Sequence, residues 1–553
     1  MDPMSITRRG ATGLSLVRLR GISWPGARRG PAASDPVGTA RPHASAASEF
    51  AIIAALCLWT LILRLPFFFP DTIDWDESTL IIMGQGILDG YLPYDRIWDS
   101  KPPLAFVAFA GAIELLGRSV AAIRVVGYLC VVLTSYLIYR TSWLIAQDKL
   151  SACAAALVSA AMMSVLEPAL MTELLCAPLL AAALLVLCSW RGSLPRAFLV
   201  GLMIGIAVMI RTNLAVLALA VGGYLSSRPP LVPPARPVTR GFAYAAGVLL
   251  IVVIIVIPYL VSSRLPLWFD TVVRAGIEFS SNRRSFENLL QLVQNGFGIR
   301  SDGSTRYQVL LLGALLWMGG LAGLLCCAGR WRQLSQQRRH AIVAAALFLV
   351  GATLSVAVTG PPYGHYLVQS VPWFAIFLGF AIASARTRTA WWFLATGISA
   401  ALIAAAVMDT RGSYALLLKR IEQGKSLAYG PAYEIAEYLR IAGAGKSSLY
   451  MMSDQLVYWL VGAYPPTRVA THPSVLTKPD IIAVIEGPNA TPETELRKIL
   501  EARPEFVVKP QSVDYLSGWP EVAGMLEEAL ARNYVLETII EGRQVYRHKP
   551  HAR

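Results

Sequence analysis

A chain of 553 residues with 55% hydrophobic and only 15% charged residues, at a mean hydropathy of +0.51, lies outside the range of soluble domains, which carry about a quarter charged residues. Its net charge of +14 is no nucleic-acid footprint, because the basic residues cluster in short loops between apolar runs, a topology signal. The seven cysteines (57, 130, 153, 176, 188, 326 and 327) lie in or beside those runs without CxxC or Cys/His ligand spacing, which argues against a disulfide framework or a structural zinc site.

Residues 1–48 are rich in Arg, Ala and Pro without a long apolar core, and read as a disordered basic cytoplasmic tail. The Arg8–Arg9 pair lacks the nearby apolar stretch of a twin-arginine signal. A hydrocarbon core of about 30 Å needs about 20 apolar residues per helix. On that scale membrane helices are expected at roughly 49–69, 122–146, 150–166, 169–189, 197–211, 213–227, 241–263, 306–328, 341–359, 366–383 and 390–408.

Between the first two runs stands "DTIDWDES" (71–78), four carboxylates at the mouth of a membrane helix. Such groups resist burial in lipid, so they are either solvated or at work at the interface. Asp71 and Asp74 are expected to be solvated. The following "PPLAFVAFAGAIELLG" (102–117) is short for a span. If it lies along the outer surface, the loops holding Arg140/Lys149, Arg191/Arg196, Arg228/Arg236/Arg240, Arg330/Arg332/Arg338/Arg339 and Arg386/Arg388 all face the cytoplasm with the tail; if it spans, all of them flip outside. The positive-inside rule therefore favours about eleven spans plus an interfacial helix.

With that parity, "DTIDWDES", "EPALMTE" (167–173), "RTN" (211–213) and "GPPYGHY" (360–366) emerge on one outer face. The long loop 264–305 emerges there too and, against the charge trend, carries Arg264, Arg274, Arg283, Arg284 and Arg300. Cations so placed suggest an anionic ligand. After about residue 409, alternating helix and strand signals ("AYEIAEYLRIAG", "SSLYMMS", "TPETELRKILEARP", "EFVVK", and a hairpin in "YVLETIIEGRQVYR") indicate a small external α/β domain. It has no GxGxxG, P-loop or nucleophile elbow and receives no catalytic role. The expected domains are thus the tail 1–48, a membrane domain 49–408 and an α/β domain 409–553.

"DWDESTLIIMGQGILDGYLPYDRIWDSKPPL" resembles the first external loop of GT-C glycosyltransferases, a group including the protein O-mannosyltransferases, the lipid A aminoarabinose transferase and the rhizobial lipopolysaccharide galacturonosyltransferases. There an Asp-Glu pair follows the first membrane helix and a Lys/His-Pro-Pro-Leu motif opens a helix lying on the membrane; here these stand as Asp76-Glu77 and Lys101-Pro102-Pro103-Leu104. "AAIRVVG" is similar at Arg124, and "EPALMTELL" resembles the second acidic loop, with Glu173 where relatives often carry Asp. "GIAVMIRTNL" has Arg211 where several have Lys, and "GHYLVQSVP" is similar to a late His/Arg-Tyr-Leu motif.

The resemblance implies transfer of a sugar from a polyprenyl-phosphate donor to an envelope acceptor at the outer face of a bacterial cytoplasmic membrane. It implies Asp76 as general base with Glu77 positioning donor or acceptor. Lys101 would stand at the lipid phosphate, with Arg211 and Arg124 as further phosphate contacts; the alternative for Arg124 is a pair with a carboxylate inside the bundle. Glu173, His365, Tyr366, Arg274, Arg283 and Arg284 are the substrate-binding candidates. Physically, an acceptor hydroxyl needs a carboxylate to take its proton, the departing phosphate needs preorganised cations, and a sugar with oxocarbenium character is stabilised by a nearby carboxylate. Two carboxylates could also hold a divalent metal, yet no ligand cluster enforces one. The competing reading is a flippase for an anionic lipid, which calls for ionisable residues at the bilayer midplane and an internal repeat; neither is visible. A purely structural scaffold explains none of the motif order.

Overall fold

The computed structural model describes residues 46–189, 193–227, 236–281, 285–300, 302–385, 391–443 and 448–549. The tail up to residue 45 lies outside the described residues, as do Arg191, Arg228, Arg283, Arg284, Arg386 and Arg388.

Every apolar run expected to span is helical. In chain order these are α1 (Ala46–Arg64), α4 (Val120–Ala146), α5 (Lys149–Leu166), α6 (Thr172–Cys188), α7 (Leu194–Ile210), α8 (Ala215–Ser226), α9 (Pro237–Val261), the consecutive α13 and α14 (Tyr307–Gly313 and Gly319–Gly329), α15 (Gln336–Ala357), α16 (Val371–Ala385) and α17 (Trp391–Glu422). Among the described residues six helices are long and apolar enough to cross a membrane: Ala46–Phe68, α4, α5, α9, Tyr307–Gly329 and α15. α6, α7 and α16 are apolar but of 15 to 17 residues. The starts follow local chemistry: Ser119, Asp148 and Ser335 each accept a backbone N–H of the first turn of α4, α5 and α15, satisfying donors the helix itself leaves orphaned.

Packing between membrane helices uses small residues where backbones meet, since lipid supplies no hydrophobic drive between them. A Cβ on Gly201 of α7 would lie 2.1 Å from the Tyr244 carbonyl of α9, and one on Gly247 of α9 would lie 2.3 Å from the Phe198 carbonyl of α7. Gly247→Leu should therefore force these helices apart and cost at least the ~1–3 kcal/mol typical of overpacking. A detergent-solubilised variant with an unchanged unfolding midpoint would contradict this crossing.

Two helices occupy the first external stretch. α2 (Trp75–Leu88) is capped by Asp74, whose side chain accepts from Asp76 N at 2.8 Å, and Asp76 and Glu77 sit in its first turn, where the helix dipole favours negative charge. α3 (Pro103–Leu116) opens on Pro102-Pro103, as suits a first turn that needs no N–H. Its 14 residues reach about 21 Å at 1.5 Å per residue, short of the hydrocarbon core, and it packs against α2. The region 264–305, expected as a loop, is instead largely helical, as α10 (Leu265–Phe269), α11 (Ala275–Ser281) and α12 (Phe286–Gly296). The last has a Ser285 cap.

The C-terminal region carries a four-stranded sheet in the order β1-β2-β4-β3, with β1 (Leu449–Met451) parallel to β2 (Phe506–Pro510). β4 (Arg543–His548) is antiparallel to both β2 and β3 (Tyr534–Ile540). Helices α18 (Pro431–Ile441), α19 (Leu456–Val461), α20 (Pro479–Glu486), α21 (Pro492–Glu501) and α22 (Pro520–Asn533) surround it.

This region is stitched to the first external stretch. Asp71 N donates to Tyr429 O (2.8 Å) and Tyr429 N to Phe69 O (3.2 Å). The Asp71 carboxylate accepts from Ala432 N at 2.6 Å, capping α18 from a distant segment. Asp71 is thus 6% exposed rather than solvated, because an orphan helix N–H claims it. Further along, Thr79 Oγ1 meets Thr471 O (3.4 Å), Trp459 Nε1 donates to Gln85 Oε1 (3.0 Å), and Tyr464 OH donates to Asp89.

Candidate active site

α2, the turn before α3, the α7–α8 junction, α10–α11, the 359–366 turn and residues 472–481 enclose a cavity of about 870 Å³. Its polar end holds Asp74, Asp76, Asp99, Lys101, Arg211, His365, Tyr366 and His472. Its apolar wall includes Val208, Met209, Trp268, Val272, Ile277 and Phe279.

Asp76 sits at the centre of the polar end. Its Oδ2 is 3.0 Å from Lys101 Nζ and its Oδ1 3.1 Å from His472 Nε2, with 28% of the side chain exposed. Surrounding protein would by itself raise the carboxyl's pKa; Lys101 and the His472 hydrogen bond more than offset this and hold Asp76 well below the usual carboxylate range. Lys101 is fixed by a second carboxylate: Asp99 lies 3.2 Å from Nζ and accepts the Lys101 backbone N–H at 2.8 Å. Burial opposes its charge, yet Asp76 and Asp99 raise its pKa above the ordinary lysine value. Asp74, expected as a solvated group, is the cap of α2 and lines the cavity. Burial, then the Asp76 charge beside it, raise its pKa.

Arg211 leaves α7 at its C-terminus and pairs with Glu173 at 2.8 Å, while its guanidinium lies 4.4 Å from the centre of the Tyr366 ring. Its Nη1 also donates to Thr172 Oγ1 at 2.9 Å. His365, stacked on Tyr363, stands 3.9 Å from Glu167 and 3.8 Å from Glu173. Burial chiefly, then the charge of Glu173, raise the Glu167 pKa well above the usual glutamate value.

Four expected site residues lie elsewhere. Glu173, expected to bind substrate, is 0% exposed and does not line the cavity, its carboxylate being taken up by Arg211. Glu77 is 1% exposed and does not line the cavity. Its carboxylate is consumed by Arg124 (Nη2 to Oε2, 2.7 Å) and Leu170 N (2.7 Å). Arg124, expected at the phosphate, is 0% exposed; it donates also to the carbonyls of Phe67 (2.8 Å), Pro70 (2.5 Å) and Asp71 (2.8 Å), so it is spent on folding the turn before α2. Arg274 pairs with Asp270 one helical turn away at 57% exposure, outside the cavity lining; with water and a local carboxylate available, nothing draws it inward. Arg283 and Arg284 fall outside the described residues. Glu77→Gln should consequently act through stability, stranding the Arg124 charge at a cost of about 3–5 kcal/mol. A folded Glu77→Gln protein with an unchanged unfolding midpoint would contradict this.

Sequence reasoning missed Asp99, which lines the cavity and pairs with Lys101, and His472. The latter caps a short helical turn (Pro473–Thr477) through Nδ1 while its other nitrogen meets Asp76; its only sequence signal is a His-Pro-Ser cap in a region given no chemistry. Among the described residues no group of three or more His, Cys, Asp or Glu is placed to hold a metal ion.

Residues 100–261 match the family model described as dolichyl-phosphate-mannose-protein mannosyltransferase. Among solved structures, ArnT from Cupriavidus metallidurans bound to undecaprenyl phosphate is similar at a TM-score of 0.58 and 15% identity, over 91% of this chain and 98% of that one. The same protein in the apo state aligns at 0.56 and 16%, with the same coverage. AglB, the oligosaccharyltransferase from Archaeoglobus fulgidus, aligns at 0.48 and 12%, over 92% of this chain and 75% of that one. No curated protein sequence matches the chain. The chain is a multi-span membrane protein with the GT-C fold, which it shares with ArnT over 91% of its length; the family match includes Lys101–Leu104 and begins after Asp76-Glu77.

Proposed function

We propose that this chain is an integral membrane glycosyltransferase. It moves a sugar from a polyprenyl-phosphate-linked donor to a cell-envelope acceptor (lipid A or lipopolysaccharide, another glycolipid or a polysaccharide) on the outer face of a bacterial cytoplasmic membrane. The observation that carries the reading is one cavity lined by a carboxylate and cations together with apolar side chains: Asp76, Lys101 and Arg211 with Val208, Met209, Trp268 and Val272. A lipid-linked sugar phosphate combines the same two characters, a charged head and a hydrocarbon tail. The family match over 100–261 and the GT-C fold shared with a protein solved with undecaprenyl phosphate support the same donor class.

In this reading the acceptor hydroxyl gives its proton to Asp76 as its oxygen attacks the anomeric carbon. The bond to the phosphate oxygen breaks, and Lys101 with Arg211 receives the growing negative charge. Displacement from the side opposite the phosphate inverts the anomeric centre. Lys101 has two roles in sequence: paired with Asp76 before donor binds, it turns to the phosphate when donor enters, releasing the carboxylate as a base. Glu173 holds Arg211 in place, and His365 and Tyr366 contact the sugar or acceptor. The membrane and α/β regions divide after α17, which runs unbroken through the boundary expected at 409 to Glu422, and the cavity and C-terminal region face the periplasm. A protein acceptor is the alternative for the same chemistry.

Comparing mass spectra of lipopolysaccharide, glycolipids and envelope polysaccharide from deletion and wild-type cells tests the reading. Loss of one sugar residue's mass from an envelope molecule is expected; identical spectra, with a sugar lost from a protein instead, would transfer the assignment to protein acceptors.

A further inference from the structure

We infer that His472, supplied by the C-terminal region, is a positioning residue for Asp76, holding one carboxylate oxygen so that the other is presented to the acceptor. The inference rests on the transferase reading above and names a residue that neither the motifs nor the family match, which ends at 261, include.

The two nitrogens of the imidazole meet different partners. Nδ1 accepts the Ser474 backbone N–H at 3.2 Å, and a backbone N–H can only donate. The Ser474 hydroxyl also meets Nδ1 at 3.0 Å and takes a hydrogen bond from Lys478 Nζ at 2.8 Å, leaving its own hydrogen for the ring. With Nδ1 an acceptor, the ring N–H lies on Nε2, which is 3.1 Å from Asp76 Oδ1. The ring is wedged edge-to-face against Trp75, centroids 6.1 Å apart, and the side chain is 14% exposed. A short capped turn, not a free loop, therefore delivers the donor.

The two oxygens of Asp76 are thereby distinguished. Oδ2 faces Lys101, a cation on a four-carbon stem that a phosphate can draw from Asp76 while Asp99 remains its second partner. Oδ1 faces a fixed donor that has its own anchor in the Pro473–Thr477 turn. When Lys101 moves, the carboxylate keeps its orientation through His472 and Oδ2 is the oxygen set free. This also gives the stitching of Asp71, Thr79, Gln85 and Asp89 to the C-terminal region a functional consequence: it fixes the distance between α2 and His472.

The test uses the full-length protein in detergent. His472→Ala should lower kcat by about 10- to 100-fold, the scale on which an orienting partner counts, with KM for the donor changed less than threefold. His472→Gln, whose amide N–H reaches where Nε2 stood, should recover most of the loss. Equal losses in folded His472→Ala and His472→Gln, or a loss confined to KM, would overturn the assignment. A cycle of unfolding midpoints for His472→Ala, Asp76→Ala and the double variant reads the contact without any catalysis. Non-additive shifts are expected, and strictly additive ones would overturn the contact. If wild type transfers no sugar, the transferase reading fails by itself while the cycle still decides whether His472 holds Asp76.

Discussion

Asp76→Asn is expected to fold, insert and bind donor, and to turn over about 10²- to 10⁴-fold more slowly, the range a positioned general base contributes. The amide keeps the shape of the carboxylate and can still accept from His472, but it cannot take a proton. The loss should therefore fall on kcat, the mark of an interaction made in the transition state. Asp76 alone among the acidic groups of the first external stretch lines the cavity with a different side-chain partner on each oxygen, the Lys101 ammonium on one and the His472 ring N–H on the other. Near-normal transfer by purified Asp76→Asn protein would remove it from the mechanism.

Lys101→Ala is expected to lower turnover by about 10²-fold or more, the scale of one lost transition-state donor, with donor affinity reduced less because negative charge on the phosphate grows as the bond breaks. Lys101→Arg should keep part of the activity, since charge survives but not its compact geometry. A pH effect with a defined sign accompanies the loss. Asp76 works as a carboxylate, and in the free protein Lys101 helps hold its pKa well below the usual range, so wild-type kcat/KM, which reports the free enzyme, should persist on the acid side and fall only as pH drops through that depressed value. Removing the ammonium leaves burial less opposed, so the acid limb of the residual activity should move to higher pH. A limb that stays in place, or moves lower, would mean that the 3.0 Å pair is not what sets Asp76.

How much of this was legible in the sequence follows from which forces act locally. Membrane helices are set by runs of apolar residues, a local property, and all eleven expected runs are helical. The strands at 449–451 and 506–510 and the 534–548 hairpin were likewise readable from alternation and turn chemistry. Asp76 and Lys101 were found through adjacent motifs, and the structure brings them to 3.0 Å. Their neighbours were misjudged because adjacent residues on a helix point about 100° apart: Asp76 opens on the cavity while Glu77 turns into the bundle, and only the distant Arg124 and Leu170 N decide which is which. Asp71 was misread for the same reason, its partner being Ala432. His472 was invisible because its role depends on packing between α2 and a region nearly the whole chain away. The helix at Phe286–Gly296 does have local signs, a Ser285 cap and apolar residues at helical spacing.

The most direct test is release of polyprenyl phosphate from a labelled polyprenyl-phosphate sugar by the purified protein with a cell-envelope acceptor extract, followed over a single turnover. The account predicts that polyprenyl phosphate appears together with labelled acceptor, and that neither forms with Asp76→Asn. If the wild-type protein instead carries the intact labelled lipid across liposome membranes and never releases polyprenyl phosphate with any extract, the cavity serves transport and the transferase account is wrong.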